Sequence, residues 1–173
     1  RVNGKVEYPA DFMLVAAMNP CKCGYYPDRN RCSCTPAQGR AYFGRLSRPL
    51  LDRIDVCVQV PRIKYEDMVY DGKDLYTNEY MRSTVERVFN IQKERFADEK
   101  YSLNSAIPAA DVSRYCILDR EAENLMNSIY DSCDLSARGY HKLLKVARTI
   151  ADIDGSEYIM AEHICEASGY RMV

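Results

Sequence analysis

The stretch Phe12-Met13-Leu14-Val15-Ala16-Ala17-Met18-Asn19-Pro20, followed at once by Cys21-Lys22-Cys23, decides how this chain is to be read. Phe12 to Ala17 is an unbroken apolar run of strand length. Continuity rather than alternation is the texture of a strand buried on both faces, as in a parallel sheet. Pro9 and Pro20 limit how far it extends. Downstream, Gln38–Leu46 and Arg48–Arg53 read as helical, and Val56-Cys57-Val58-Gln59-Val60 alternates like a second strand. Two strands do not make an independent sheet. The chain also opens Arg1-Val2-Asn3 without Met. The α/β part is therefore expected to be the tail end of a larger domain, and the chain a processed or cut piece.

After Pro61 the texture changes to helix. Met81, Val85, Val88, Phe89 and Phe96 keep helical spacing. Ala122, Leu125, Met126, Ile129 and Tyr130 do so with Asp119 placed as N-cap. Ser136 is positioned to cap a helix whose apolar stripe is Tyr140, Leu143, Leu144, Ala147, Ile150 and Ala151, and Gly155 stands where that helix should stop. Ala161, Ile164, Cys165 and Ser168 imply a last helix. The expected organisation is an α/β fragment over residues 1–61 with a four-cysteine insert at 21–34, a linker at 62–76, and an all-α domain over 77–173, mostly helical overall.

Composition excludes several classes. At 173 residues, 47% apolar and 28% charged, the chain has the make-up of an ordinary globular protein and needs no disulfide framework. Its 24 Lys and Arg against 25 Asp and Glu leave a net charge of −1, unlike a bulk nucleic-acid binder. No apolar run reaches the roughly 18 residues of a membrane span and no signal peptide opens the chain, so a cytoplasmic location without a membrane partner is expected.

The eight cysteines divide by context. Cys57, Cys116, Cys133 and Cys165 stand singly and read as small buried hydrophobes. Cys21, Cys23, Cys32 and Cys34 form two C-x-C pairs around a turn-rich spacer, four soft ligands of the kind a structural zinc takes. The pairs are tighter than the usual C-x₂₋₄-C. The alternative is four free thiols, or thiols paired by oxidation.

Charge is also local. Lys22, Arg29, Arg31, Arg40, Arg45, Arg48 and Arg53 face only Asp28 and Asp52, a surplus of five positive charges. Arg138, Lys142, Lys145 and Arg148 recur on one helix, read here as the face opposite its apolar stripe. Such clusters either contact phosphate or form solvated helix faces; the preponderance of arginine favours bidentate phosphate contact. Asn19 lies just beyond the end of the first strand-like run. There it can bond a water or a phosphate oxygen, or simply make the turn before Pro20. No G-x-x-x-x-G-K-[ST] and no apolar strand ending in Asp-Glu occurs. His141 and His163 have no nucleophile at meaningful spacing and read as ordinary helix residues.

Three segments together resemble a known family. They are Tyr8-Pro9-Ala10-Asp11-Phe12 through Cys21-Lys22-Cys23-Gly24, Leu46-Ser47-Arg48-Pro49-Leu50-Leu51-Asp52-Arg53-Ile54-Asp55, and Leu135-Ser136-Ala137-Arg138-Gly139-Tyr140-His141 running to Val146-Ala147-Arg148-Thr149-Ile150-Ala151-Asp152. In order and in register, they resemble the magnesium-chelatase-like AAA+ ATPases, nearest the ComM/YifB branch. The resemblance implies a P-loop ATPase core upstream, a C-terminal helical lid, and hexameric rings that use ATP and Mg²⁺. It implies that Asn19 is the sensor facing the γ-phosphate, Arg53 the arginine finger reaching a neighbouring subunit's ATP, and Arg138 the second sensor. It places Arg1 just after the strand carrying the magnesium-binding acids, so this segment alone is expected to be inactive. Arg48 and Lys22 stand where the family has Gly and Pro, and Arg48 leaves open which arginine of 48–53 is the finger.

The four-Cys insert favours the ComM-like branch, whose implied activity is ATP-driven movement on DNA, including branch migration during natural transformation. Two rivals stand beside it. One is an ATPase subunit that assists magnesium insertion into a porphyrin. The other is a non-enzymatic zinc-dependent nucleic-acid-binding module that uses Tyr25, Tyr26 and the arginine cluster.

Overall fold

Each long helix begins where a side chain satisfies its first free amides. The computed structural model describes residues 6–8, 10, 12–63, 65–69 and 76–171, without the side chains of Arg48 and Asp67. The chain divides into two compact units, residues 1–47 and 48–173.

The first unit holds a segment without regular secondary structure, the cysteine loop and helix α1 (Pro36–Phe43). Thr35 and Gln38 form a capping box at its start, with bonds of 3.2 and 2.9 Å. In this unit Cys21 is the one buried residue among those described.

The second unit contains α2 (Arg48–Leu51), α3 (Tyr65–Val69), α4 (Asn78–Arg95), two 3₁₀ turns (Asn104–Ala106 and Ala109–Asp111), α5 (Val112–Tyr115), α6 (Arg120–Ser132), α7 (Ala137–Asp154) and α8 (Ala161–Gly169). The expected caps are present. Asp119 accepts from the Ala122 amide at 2.7 Å, and Ser136 from the Gly139 amide at 3.1 Å. Gly155 closes α7 at φ +71°, the left-handed conformation that glycine adopts without a Cβ penalty. Buried Leu143, Leu144, Ala147, Ile150 and Ala151 of α7 pack with Met126 of α6, Ile164 and Ala167 of α8, and Ile107 and Phe96. Leu118 and Ile159 form a single parallel bridge joining the starts of α6 and α8.

A buried polar knot crosses this core. Asp152, 1% exposed, receives both guanidinium nitrogens of Arg95, Arg148 Nε at 3.0 Å and Asn104 Nδ2 at 2.8 Å. Arg148 also donates to the Ser156 and Glu157 carbonyls at 2.5 and 2.6 Å. Gln92 accepts from the Asn104 amide at 2.9 Å. One carboxylate thereby ties α4, the first 3₁₀ turn, α7 and the loop before α8.

Several sequence expectations are corrected here. No β-strand forms among the described residues. Phe12–Ala17 and Val56–Val60 carry no regular secondary structure, and Phe12, Met13, Leu14, Val15, Val56, Val58 and Val60 are exposed. A strand exists only through a ladder to a partner, and neither run has one among the described residues. Arg148 does not belong to a solvated basic face: it is 2% exposed and spent on the Asp152 knot. Cys133 and Cys165 are exposed rather than buried, while Cys116 is buried. On α4 only Val88 and Gln92 are buried, so Met81, Val85 and Phe89 face outward despite their helical spacing. Of the expected linker, Lys64 and residues 70–75 lie outside the described residues, as does Arg1.

Burial raises the Asp152 carboxyl pKa, but hydrogen bonds from Arg95 and Asn104 and the charge of Arg148 outweigh it, holding it below the ordinary 3.8. A depressed carboxyl stabilises the fold above its unfolded pKa, and that contribution is lost as pH falls through the folded value. Asp152→Ala leaves buried guanidinium groups unpaired and should cost about 3–5 kcal/mol in urea unfolding at pH 7. In Asp152→Asn the loss of stability in acid should be shallower than in wild type; an unchanged acid slope would count against the knot.

Candidate functional site

The first unit gathers the four expected cysteines. Gly24, at φ +83°, lets the chain reverse so that its amide reaches the Cys21 carbonyl at 3.1 Å. Asp28 organises the spacer: its side chain accepts from the Asn30 amide at 3.0 Å, and its carbonyl from the Cys32 amide at 2.7 Å. Sulfur separations are 3.3 Å for Cys21–Cys23, 3.8 Å for Cys21–Cys32 and 3.6 Å for Cys23–Cys32, and all four sulfurs lie within 4.8 Å of one another.

None of these distances is a disulfide. A tetrahedral ion with metal–sulfur bonds of about 2.3 Å requires sulfur spacings of about 3.8 Å, which this cluster approaches. The donor set therefore fits one soft divalent ion, and the tight C-x-C spacing is no obstacle once the loop folds back at Gly24. Protonation points the same way. Burial raises the Cys21 thiol, but the Tyr26 backbone and the neighbouring thiols outweigh it and bring it down to about 6. At Cys32 a backbone hydrogen bond from Cys34 lowers the thiol, yet burial and the charge at Cys21 push it up to about 11. Cys23 is lowered like Cys21 and Cys34 raised like Cys32, so the thiols titrate unequally, whereas a divalent cation would favour all four as thiolates.

Asn19 is exposed, and its side chain lies beside Gly24: a Cβ there would sit 3.9 Å from the Asn19 amide group. The predicted sensor thus abuts the cysteine loop.

The second unit holds an open, shallow groove of about 710 Å³. Arg138, His141, Lys142 and Lys145 line it from α7, at spacings of three and four residues that put them on one helical face. Arg53 and Asp55 line it from the segment after α2. Two of the cations are engaged: Lys142 lies 2.9 Å from Asp55 as an ion pair, and Lys145 donates to the Ser105 carbonyl at 3.1 Å. Burial pulls the Lys145 pKa down. Arg53 donates to the Pro49 carbonyl at 2.6 Å, a contact that orients its exposed side chain. Arg138 makes no ion pair among the described residues. It stands in the first turn of α7, where unpaired amides and the helix dipole favour an anion.

The structure thus brings Arg53 and Arg138 to one groove of the second unit, while Asn19 and the cysteines belong to the first. His141 also lines this groove, which sequence spacing alone did not indicate. Its place three residues after Arg138 was the available signal.

Comparison with known proteins also divides the chain, but at residues 68–76 rather than at 47–48. The family model described as "Magnesium chelatase, subunit ChlI C-terminal" matches residues 76–171, and "Magnesium chelatase, subunit ChlI" matches residues 1–68. This chain belongs to the magnesium chelatase family.

Within that family it is 38% identical to the competence protein ComM of Haemophilus influenzae over 99% of this chain and 33% of that protein. It is 36% identical to YifB of Escherichia coli over 100% of this chain and 33% of that protein, and 30% identical to Rv2897c of Mycobacterium tuberculosis over 99% and 33%. The chain therefore spans about a third of the length of these relatives. No described helix is long and apolar enough to cross a membrane.

Elemental analysis of protein purified without added metal should find about one equivalent of a divalent ion per chain. Cys21→Ser or Cys32→Ser should lose it; an equal metal content in these variants would reject the cluster as its ligands.

Proposed function

We propose that this chain is the distal segment of a AAA+ ATPase of the ComM type, whose ATP hydrolysis drives remodelling of DNA. The observation that carries this reading is the convergence of Arg53 and Arg138 on one basic groove at the N-terminus of α7. The similarity to a competence protein over nearly the whole chain supports the choice of branch.

On this reading, residues 1–61 are the distal part of the ATPase core with its insert at 21–34, 62–76 the linker and 77–173 the helical lid. The break between the two family matches, at 68 and 76, supports these limits. The exposed apolar runs at Phe12–Ala17 and Val56–Val60 are then strands of a sheet completed by other parts of the longer protein. Their outward-facing Met13, Val15, Val58 and Val60 are the surface such a sheet would cover. An arginine finger acting across a subunit boundary requires an oligomer, which the family resemblance makes a hexameric ring.

Phosphoryl transfer is catalysed by positioning and charge rather than by covalent chemistry. Asn19 orients the attacking water or a γ-phosphate oxygen. Arg53 and Arg138 neutralise charge on the transferring phosphoryl group, with the α7 amides adding a fixed positive potential. Because both arginines line one groove, both serve the same nucleotide. Rigid-body movement of the lid then follows whether that phosphate is present. ATP and Mg²⁺ are bound chiefly by residues outside this chain. Zinc is the ion best suited to four thiolates, and its role is to hold the insert folded.

In the intact protein, Arg53→Ala and Arg138→Ala should each lower ATP turnover by about a thousandfold, with nucleotide affinity changed only a few-fold. Near-wild-type turnover would reject these roles. Stimulation of turnover by branched or single-stranded DNA supports the remodelling activity; stimulation by a porphyrin and not by DNA would favour metal insertion instead.

A further inference from the structure

Outside the groove, the most built surface is the cysteine loop itself. Two exposed tyrosines, Tyr25 and Tyr26, stand side by side on it. Each is paired with an arginine from the far arm of the same loop: the Arg31 guanidinium lies 5.1 Å from the Tyr25 ring centroid, and that of Arg29 lies 5.6 Å from the Tyr26 ring centroid. Sidedness is built in, because Cys21 and Cys32 anchor the two arms to one sulfur cluster.

The attraction between each guanidinium and its ring restrains the two side chains relative to one another on the loop. The same stretch of sequence also carries Lys22, Arg40 and Arg45, with Asp28 the only acid between residues 18 and 47. Asp28 is occupied in turning the loop through the Asn30 amide. Flat aromatic faces flanked by guanidinium groups in a locally basic segment match one ligand chemistry: unstacked bases on a phosphate backbone. A duplex keeps its bases stacked on each other and offers no free face.

We propose that the Tyr25–Arg31 and Tyr26–Arg29 pairs form a stacking platform for single-stranded DNA, held in place by the four-cysteine cluster. This rests on the reading of DNA as the partner and adds the surface that meets the strand. The platform binds without base selectivity, because every base has a π-face. Its metal is structural, so the strand contacts rings and guanidinium groups rather than the ion.

The test is fluorescence anisotropy of a labelled dT20 strand with the chain, repeated over a range of salt. Tyr25→Ala/Tyr26→Ala should weaken binding by about tenfold or more and leave the salt dependence unchanged, because stacking carries no counterions. Tyr25→Phe/Tyr26→Phe should restore the affinity. Arg29→Ala/Arg31→Ala should reduce the slope of log affinity against log salt by about 1.4, at about 0.7 per phosphate contact on a single strand. Arg114→Ala, which removes a surface charge paired with Glu99 in the second unit, should do neither. Metal content of each variant reports that the loop is folded. Wild-type affinity in the tyrosine-to-alanine variant with its metal intact would overturn the platform while leaving DNA as partner. Tighter binding to a duplex than to dT20 would overturn it as well. Absence of any DNA binding by the wild-type chain would overturn both readings.

Discussion

The second unit depends on one buried carboxylate. Asp152 sits at the end of α7 with two guanidinium groups and an amide on its two oxygens. Its partners come from α4, from the turn after α4 and from α7 itself. An ion pair removed from water is stabilising only when its remaining donors are satisfied, and here they are: Arg148 reaches two carbonyls of the loop before α8, and Asn104 also bonds Thr149. Arg87 adds a further cation at the C-terminal end of α7, donating to the Ile153 carbonyl at 2.9 Å, where the helix dipole welcomes it. With its C-terminal end held in this way, α7 presents its first two turns to the groove as a fixed wall. The position of Arg138 in the groove is thus set from Asp152, fourteen residues further along α7.

The first unit is organised on a different principle. It has a capped helix and a turn-rich loop, but Cys21 is its only buried residue among those described. Segments of this size with so little apolar burial commonly rely on a metal or disulfides. A metal held by the four sulfurs would fill that role, drawing together two arms separated by eight residues of sequence. This explains why a basic, tyrosine-bearing loop can be held in one shape without a core beneath it. It also explains how Asn19, just upstream, gains a fixed neighbour in Gly24.

Much of this was legible from the residues alone. Asp119, Ser136 and Gly155 mark helix ends because their physical effect is local, an oxygen for orphan amides or a backbone without Cβ. The apolar stripe of α7 was equally plain, since burial follows a period of 3.6. What the sequence concealed is non-local. Arg148 shares the helical register of Arg138, Lys142 and Lys145, yet its carboxylate lies one turn on and its carbonyl partners beyond Gly155, so that it folds inward. Phe12–Ala17 has the composition of a central strand, but strands need neighbours that no single run can announce. Arg53 and Arg138 stood out in the sequence through motif resemblance; their meeting in one groove came only with the fold, through the segment carrying Asp55 and its ion pair to Lys142.

If the groove serves a phosphate at a boundary between subunits, then its arginines must work on a nucleotide held by another copy. Mixing two inactive forms of the intact protein tests this directly. One form carries Arg53→Ala, and the other is unable to bind ATP but keeps Arg53. A mixed ring places the intact arginine against a competent nucleotide, so the account predicts that ATP turnover returns on mixing, to a substantial fraction of the wild-type rate. A mixture as inactive as its two components, despite demonstrated co-assembly, would contradict it.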